Sequence, residues 1–424
     1  MRRTLLLIVG LAGLLAPTLA RAADVPSLPK FTFKDGDRVV LIGDDLIERD
    51  QKYGYLETFL TLLNPDKSIT FRNLGWSGDT VYGIARARFG SQADGFNHLK
   101  EHVLALKPTV LIVGYGMAES FDGEAGLPNF VSGLNALLDT LKPTKARVIL
   151  LSPIAHLDLG RPLPDPTEHN KSLVLYAKAI RKVADERNYF YIDLIDLTSM
   201  VIQDPSIENS LKSVADDGIH LTNFGYCLID FGIVTLLSPF DFFGDSDVGV
   251  GYDGLVKPRD GSTAHVSKIE KTADGIKFLV GDEFLPAIEW PQSRPPGQLL
   301  GAVREVQVTG LPPGSYSLQI DGTPIVTASS SDWNQSVELK RDPALDQFKA
   351  LRKTINEKNL LYFHRWRPEN ETYLFGFRKH EQGNNAREIP LFDPLVEAKE
   401  KEIAKLRVPV SHVYELVRVK EEAK

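Results

Sequence analysis

The sequence predicts an α/β protein: a three-layer α/β/α domain on a parallel sheet, then a small β-sandwich, then a C-terminal helical segment. Three observations carry this reading. Short apolar runs alternate with helix-period stretches over residues 38–194, joined by short connections, which is the pattern of a parallel sheet covered by helices on both faces. From about residue 245 the chain turns rich in Gly, Pro, Ser and Val, with short alternating runs. Past residue 346 helical spacing returns. A length of 424 residues suits two or three domains.

Taken in order, residues 38–43 read as a buried strand ending in a glycine turn, and 53–63 carry apolar groups at helical spacing. Residues 69–74 form a second strand, followed by the loop Gly75-Trp76-Ser77-Gly78-Asp79-Thr80. Residues 98–106 are expected as helix and 109–113 as a third strand leading into Gly114-Tyr115-Gly116. Helices over 130–141 and 172–187 alternate with strands at 146–151 and 190–194. Runs at 277–280, 304–308, 316–320 and 337–339 supply the sandwich, with turn signals at Pro312-Pro313-Gly314 and Asp321-Gly322. Helices follow at 346–357 and 394–406. The expected divisions are a leader over 1–22, the α/β domain over 30–244, the sandwich over 245–340, and a segment over 341–424 packing on the α/β domain.

The leader shows Arg2 and Arg3, an apolar run from Leu5 to Leu15, and Ala20-Arg21-Ala22 as a small-x-small cleavage site. It predicts export, to the periplasm or beyond, and no membrane attachment after cleavage, since the run is shorter than the roughly 20 residues a span needs. Cys227 is the one cysteine, so no intrachain disulfide forms. Net charge is −7 and the isoelectric point about 5.8. No basic excess exists to attract nucleic acid.

In open parallel sheets the loops after the carboxyl ends of strands hold the functional groups. Four motifs fall in such loops or late in the domain: Gly43-Asp44-Asp45-Leu46, Gly75 to Thr80, Gly116-Met117-Ala118-Glu119, and Asp217-Gly218-Ile219-His220-Leu221-Thr222. Their order and spacing resemble the SGNH/GDSL hydrolase family over roughly residues 36–240. The resemblance implies an SGNH-like fold and ester hydrolysis. It implies His220 as base, Asp217 as its orienting partner, and Gly78 N–H as an oxyanion donor. Exported relatives act on acylated carbohydrate, which makes a polysaccharide or small-molecule ester the expected partner.

Two positions depart from the pattern. Asp45 stands where the family carries its serine nucleophile, and Ala118 where it carries an oxyanion asparagine. A hydroxyl needs a base to attack, and losing one oxyanion donor costs on the order of 10²–10³ in rate. Ordinary serine acyl transfer is therefore not expected. Three readings of Asp45 remain open: a relic ion-paired to His220, a carboxylate that attacks the ester or activates water, or a shifted register in which Ser77 or Ser120 serves. A catalytically silent protein that binds carbohydrate or a partner is the rival to an enzyme.

Asp44, Glu119 and His156 are further pocket candidates, His156 more readily structural. Arg365, Trp366 and Arg367 either line a sugar- or anion-binding rim or pin the C-terminal segment to the first domain. Asp44, Asp45, Asp217 and His220 include donor types that suit a divalent ion, but their spacing is that of the triad pattern. Neither a metal nor a cofactor is expected.

Overall fold

The computed structural model describes residues 31–203, 207, 211–238, 246–259, 262–285, 304–339 and 341–419. These divide into two units: residues 31–238 with 352–403, and residues 246–285 with 304–351 and 404–419. The expected leader over 1–22 lies outside the described residues.

The first unit is built on a five-stranded parallel sheet. Its strands are β1 (Arg38–Gly43), β2 (Thr70–Asn73), β3 (Val110–Gly114), β4 (Arg147–Leu151) and β5 (Phe190–Ile192), in the order β2-β1-β3-β4-β5. Flanking helices include α1 (Asp45–Tyr53), α2 (Tyr55–Leu62), α3 (Gln92–Ala105), α4 (Gly123–Leu141), α5 (Thr167–Arg187), α6 (Leu194–Ile202) and α7 (Asn223–Leu237). Every residue of β3 is buried, as a strand covered on both faces requires, and this is why the strands read as continuous apolar runs. Val40, Ile42, Leu111, Val113 and Leu150 pack with Leu134, Leu137 and Leu138 of α4 and Tyr176 and Ile180 of α5. Each such side chain contributes roughly 1.5–3 kcal/mol by leaving water.

The carboxyl ends of β1 and β3 meet where Gly43 pairs with Gly114. A Cβ at Gly43 would lie 2.2 Å from Gly114 O and 2.5 Å from Ile47. Only glycine lets the chain leave β1 here and enter α1 at once. Asp44 caps α1 by accepting from Leu46 N, and Gly54 ends it in the left-handed conformation. The expected helix over 53–63 is α2, and a further helix that was not expected, α1, precedes it and ends at Gly54. The polar run Glu48-Arg49-Asp50-Gln51-Lys52 conceals α1 from an apolar-period reading. Likewise α3 begins six residues before the expected start, at a capping box of Ser91 and Asp94.

The second unit holds two sheets. The first has the order β11-β10-β13-β8-β7, from β7 (Ala264–Lys271), β8 (Gly275–Asp282), β10 (Ser315–Ile320), β11 (Thr323–Ser329) and β13 (His412–Arg418). The second has the order β12-β9-β6, from β6 (Val248–Gly251), β9 (Glu305–Thr309) and β12 (Val337–Glu338). Val250 and Val308 of the second sheet share one core with Phe278, Leu318 and Leu416 of the first. Arg304 is buried between Asp282 (2.6 Å) and Asp342 (2.9 Å).

The chain expected as one C-terminal segment divides. Helix α8 (Pro343–Trp366) contributes to both units, and α9 (Phe392–Leu406) lies mostly in the first. Strand β13 is instead central in the second unit's larger sheet, paired with β10 and β8. The sandwich is therefore closed by residues some seventy positions beyond its expected end. Val413, Glu415 and Val417 alternate with the buried Tyr414 and Leu416, a period-2 pattern with a charge on its outer face. Among the described residues no helix is long and apolar enough to cross a membrane.

Candidate active site

Four strand-end loops and the loop before α7 supply the site. Asp45 is the first residue of α1, so its carboxylate stands at a helix start directly beyond β1. Asp217 folds its own loop: Oδ1 accepts from Ile219 N (3.2 Å) and His220 N (2.9 Å). Its Oδ2 lies 2.7 Å from His220 Nδ1. This fixes the ring so that Nε2 faces Asp45, with Oδ1 at 3.4 Å. The other Asp45 oxygen, Oδ2, accepts from Gly78 N at 3.0 Å. Gly78 has φ +72, a conformation suited to glycine, and it turns this N–H toward Asp45.

The charges follow from these contacts. Burial alone would raise the Asp45 carboxyl, but His220, Gly78 N–H and the Ser77 hydroxyl together hold it at about 2. The contact with Asp45 is the largest cause lifting His220 to about 9; partial burial opposes it and Asp217 assists. Burial also resists ionisation of Asp217, yet its bonds to His220 and to the loop N–H groups keep its carboxyl below the usual value. At neutral pH the three form a carboxylate–imidazolium–carboxylate chain.

A small cavity of about 20 Å³ opens beside this chain. Asp44, Asp45, Leu46, Met117, Ile154 and His220 are among its lining residues. That volume accepts one water-sized or methyl-sized group. Asp44 is 2% exposed. Its burial, and the charges of Glu119 and Asp45, push its carboxyl well above the usual range.

The remaining expected site residues separate. Glu119 does not face the cavity. Its two oxygens accept from Val81 N (2.9 Å) and Gly116 N (3.0 Å), clasping the loops after β2 and β3, and burial raises it to about 7. His156 does not line the cavity: its Nδ1 lies 3.0 Å from His169 Nδ1, and His169 Nε2 lies 2.8 Å from Ser120 Oγ. Ser120 is thus paired with His169 rather than with His220, and its hydroxyl also reaches Met117 O. Trp366 is a core residue, 8% exposed, against Trp76 and His102. Its indole is too buried to line a rim. Arg365 pairs with Asp393 at 2.8 Å. Arg367 alone of the three reaches the site's edge, with its guanidinium 3.7 Å over the Trp76 ring and Nη1 3.0 Å from Glu48 Oε1. Glu48 was not among the expected residues. It lies three positions after Asp45 on a helix that the apolar pattern conceals. Among the described residues no three His, Cys, Asp or Glu side chains converge to hold a metal ion.

The sequence matches the GDSL-like Lipase/Acylhydrolase family over residues 41–228. Residues 41–228 form a GDSL-like lipase/acylhydrolase domain. All four motifs fall within that span. Among solved structures, a gut microbial diltiazem-metabolizing enzyme matches with a TM-score of 0.67 and 17% identity, covering 92% of this chain and 99% of that one. The likeness therefore extends in fold through both units. The acetylxylan esterase of Geobacillus stearothermophilus covers 49% of this chain and 96% of its own, with a TM-score of 0.40 and 17% identity. No curated protein matches the chain in sequence.

Proposed function

We propose that the GDSL-like domain hydrolyses esters of small acyl groups, with the Asp45 carboxylate as nucleophile and His220 as acid and then base. The observation that carries this is the contact itself: His220 Nε2 lies 3.4 Å from Asp45 Oδ1 while Asp217 holds Nδ1, an arrangement that favours an ionised Asp45 and a protonated His220. A serine needs a neutral histidine to take its proton. A carboxylate needs no activation, and a protonated histidine beside it suits a different task. An Asp45 oxygen attacks the ester carbonyl carbon, and the carbonyl oxygen takes over Gly78 N–H. As the bond from acyl carbon to alkoxy oxygen breaks, His220 Nε2 gives its proton to the departing alcohol. This leaves a mixed anhydride on Asp45 and a neutral His220. His220 then takes a proton from water, whose oxygen attacks the acyl carbon. The acid is released, and Asp45 and protonated His220 are restored. Asp217 holds the ring throughout. The 20 Å³ cavity accepts one methyl-sized group, which suits the methyl of an acetyl ester.

The chemistry is slow by design. Ala118 offers no second oxyanion donor, which forgoes on the order of 10²–10³ in rate. The leader at the N-terminus supports an exported protein, and acylated carbohydrate is the substrate class such a location offers.

One observation favours a silent, binding role: Asp45 itself occupies both Gly78 N–H and His220 in the free protein. The two readings separate on acetyl esters. The mature protein should hydrolyse them above background, His220→Ala should lose that activity, and hydroxylamine should trap the acyl intermediate. Equal rates in the mature protein and His220→Ala would leave the binding reading standing.

A further inference from the structure

We infer that Arg367 forms an anion subsite beside Gly78, and that it recognises a sugar-acid carboxylate on the alcohol portion of the substrate. The assignment of an alcohol side rests on the ester-hydrolase reading above; the subsite itself does not. A hydrogen-bonded rim runs from the pocket to this arginine. Asp45 takes Gly78 N–H. The neighbouring Ser77 N–H goes to one oxygen of Glu48, and the other oxygen of Glu48 takes Arg367 Nη1 at 3.0 Å. The guanidinium lies over Trp76, 3.7 Å from the ring centre. Ser77 and Gly78 are exposed, and the Arg367 side chain keeps 25% of its surface open.

This is more fixing than a surface arginine needs for a salt bridge. Such pairs contribute little when exposed. Stacking and the Glu48 bond hold the fork in one orientation, so little rotamer freedom is left to lose on binding. Among the described residues only Nη1 makes a side-chain hydrogen bond, to Glu48. The remaining guanidinium N–H groups are donors only, in the planar geometry that matches a carboxylate through two parallel bonds. A neutral hydroxyl would use one of those donors; a uronate carboxylate uses two. Arg365, held by Asp393, and Trp366, in the core, take no part.

The test measures binding by calorimetry to an oligogalacturonate and to its methyl-esterified, uncharged counterpart. The mature protein should bind the acid form about tenfold or more tightly than the neutral one. Arg367→Lys keeps the charge and loses the fork, and should weaken the acid form about tenfold with the melting temperature retained. Glu48→Gln removes the competing negative charge and should tighten the acid form by roughly threefold or more. An arginine that merely pins the C-terminal segment predicts the opposite for Glu48→Gln. Equal binding of acid and neutral forms, no binding of either, or unchanged affinity in Arg367→Lys would overturn the subsite. Acid-selective binding without turnover of acetyl esters would sink the hydrolase reading and leave the subsite in place. Turnover without acid selectivity would do the reverse.

Discussion

Replacing Asp45 by Asn keeps its shape and removes the charge that faces His220. His220 stands at about 9 instead of 6.5, with the contact to Asp45 as the largest cause and Asp217 as the next favourable one. The whole rise corresponds to about 3 kcal/mol. Asp45, lowered from 3.8 to about 2, reports the same contact from its other side, together with help from Gly78 N–H and Ser77. The two figures describe one interaction and are not summed. Both side chains are about a quarter exposed, so solvent screens part of the attraction, and the shared part is about 1.5 kcal/mol. A histidine whose value rises on folding stabilises fully below its unfolded value of 6.5 and loses that contribution as pH climbs through about 9. Asp45→Asn should therefore lower the His220 value by about one pH unit in an imidazole NMR titration. It should lower the melting temperature of this unit by roughly 3–6 °C at pH 6 and by almost nothing at pH 10. An unchanged His220 titration, or a melting difference that does not vary between pH 6 and 10, would refute the reasoning.

Further outcomes follow from other parts of the structure. Asp45→Ser with Ala118→Asn should give an esterase whose rate rises as His220 loses its proton, about one pH unit below its value in the parent, because the Asp45 contact is gone while Asp217 still holds the ring; a rate flat across pH 6–9 would contradict this. Gly43→Ala should destabilise the first unit by roughly 3 kcal/mol or more in a denaturant titration, since its Cβ has no room between Gly114 O and Ile47. Arg304→Ala should cost the second unit roughly 3–5 kcal/mol by leaving Asp282 and Asp342 buried without their cation; a melting curve like the parent's would show that the pair is not needed.

Much of the first unit is legible because its strands are buried on both faces. Runs such as Val110-Leu111-Ile112-Val113 have no other good reading, and the glycines that follow them mark strand ends. The motif order then places Asp45, Asp217, His220 and Gly78 together, and the structure brings them into contact. What the pattern hides has physical causes. The exposed face of α1 is charged, so neither the helix nor Glu48 shows in apolar spacing. Arg365-Trp366-Arg367 reads as a rim or as a pin, yet the stretch runs over the end of α8 at Trp366, and its three side chains end at an ion pair, in the core and at the site. His156 reads more readily as structural than as a pocket residue, but its partner His169 on α5 is not announced by any local signal. Strand β13 pairs across nearly a hundred residues with β10, a long-range contact that no local signal announces.

The most direct test of the central claim is the rate of acetyl-ester hydrolysis by the mature protein and by Asp45→Asn across pH 5–10. A carboxylate nucleophile with a protonated His220 predicts activity that holds at neutral pH, declines as pH rises through about 9, and disappears in Asp45→Asn. Activity that persists in Asp45→Asn, or that increases through pH 9, would contradict it.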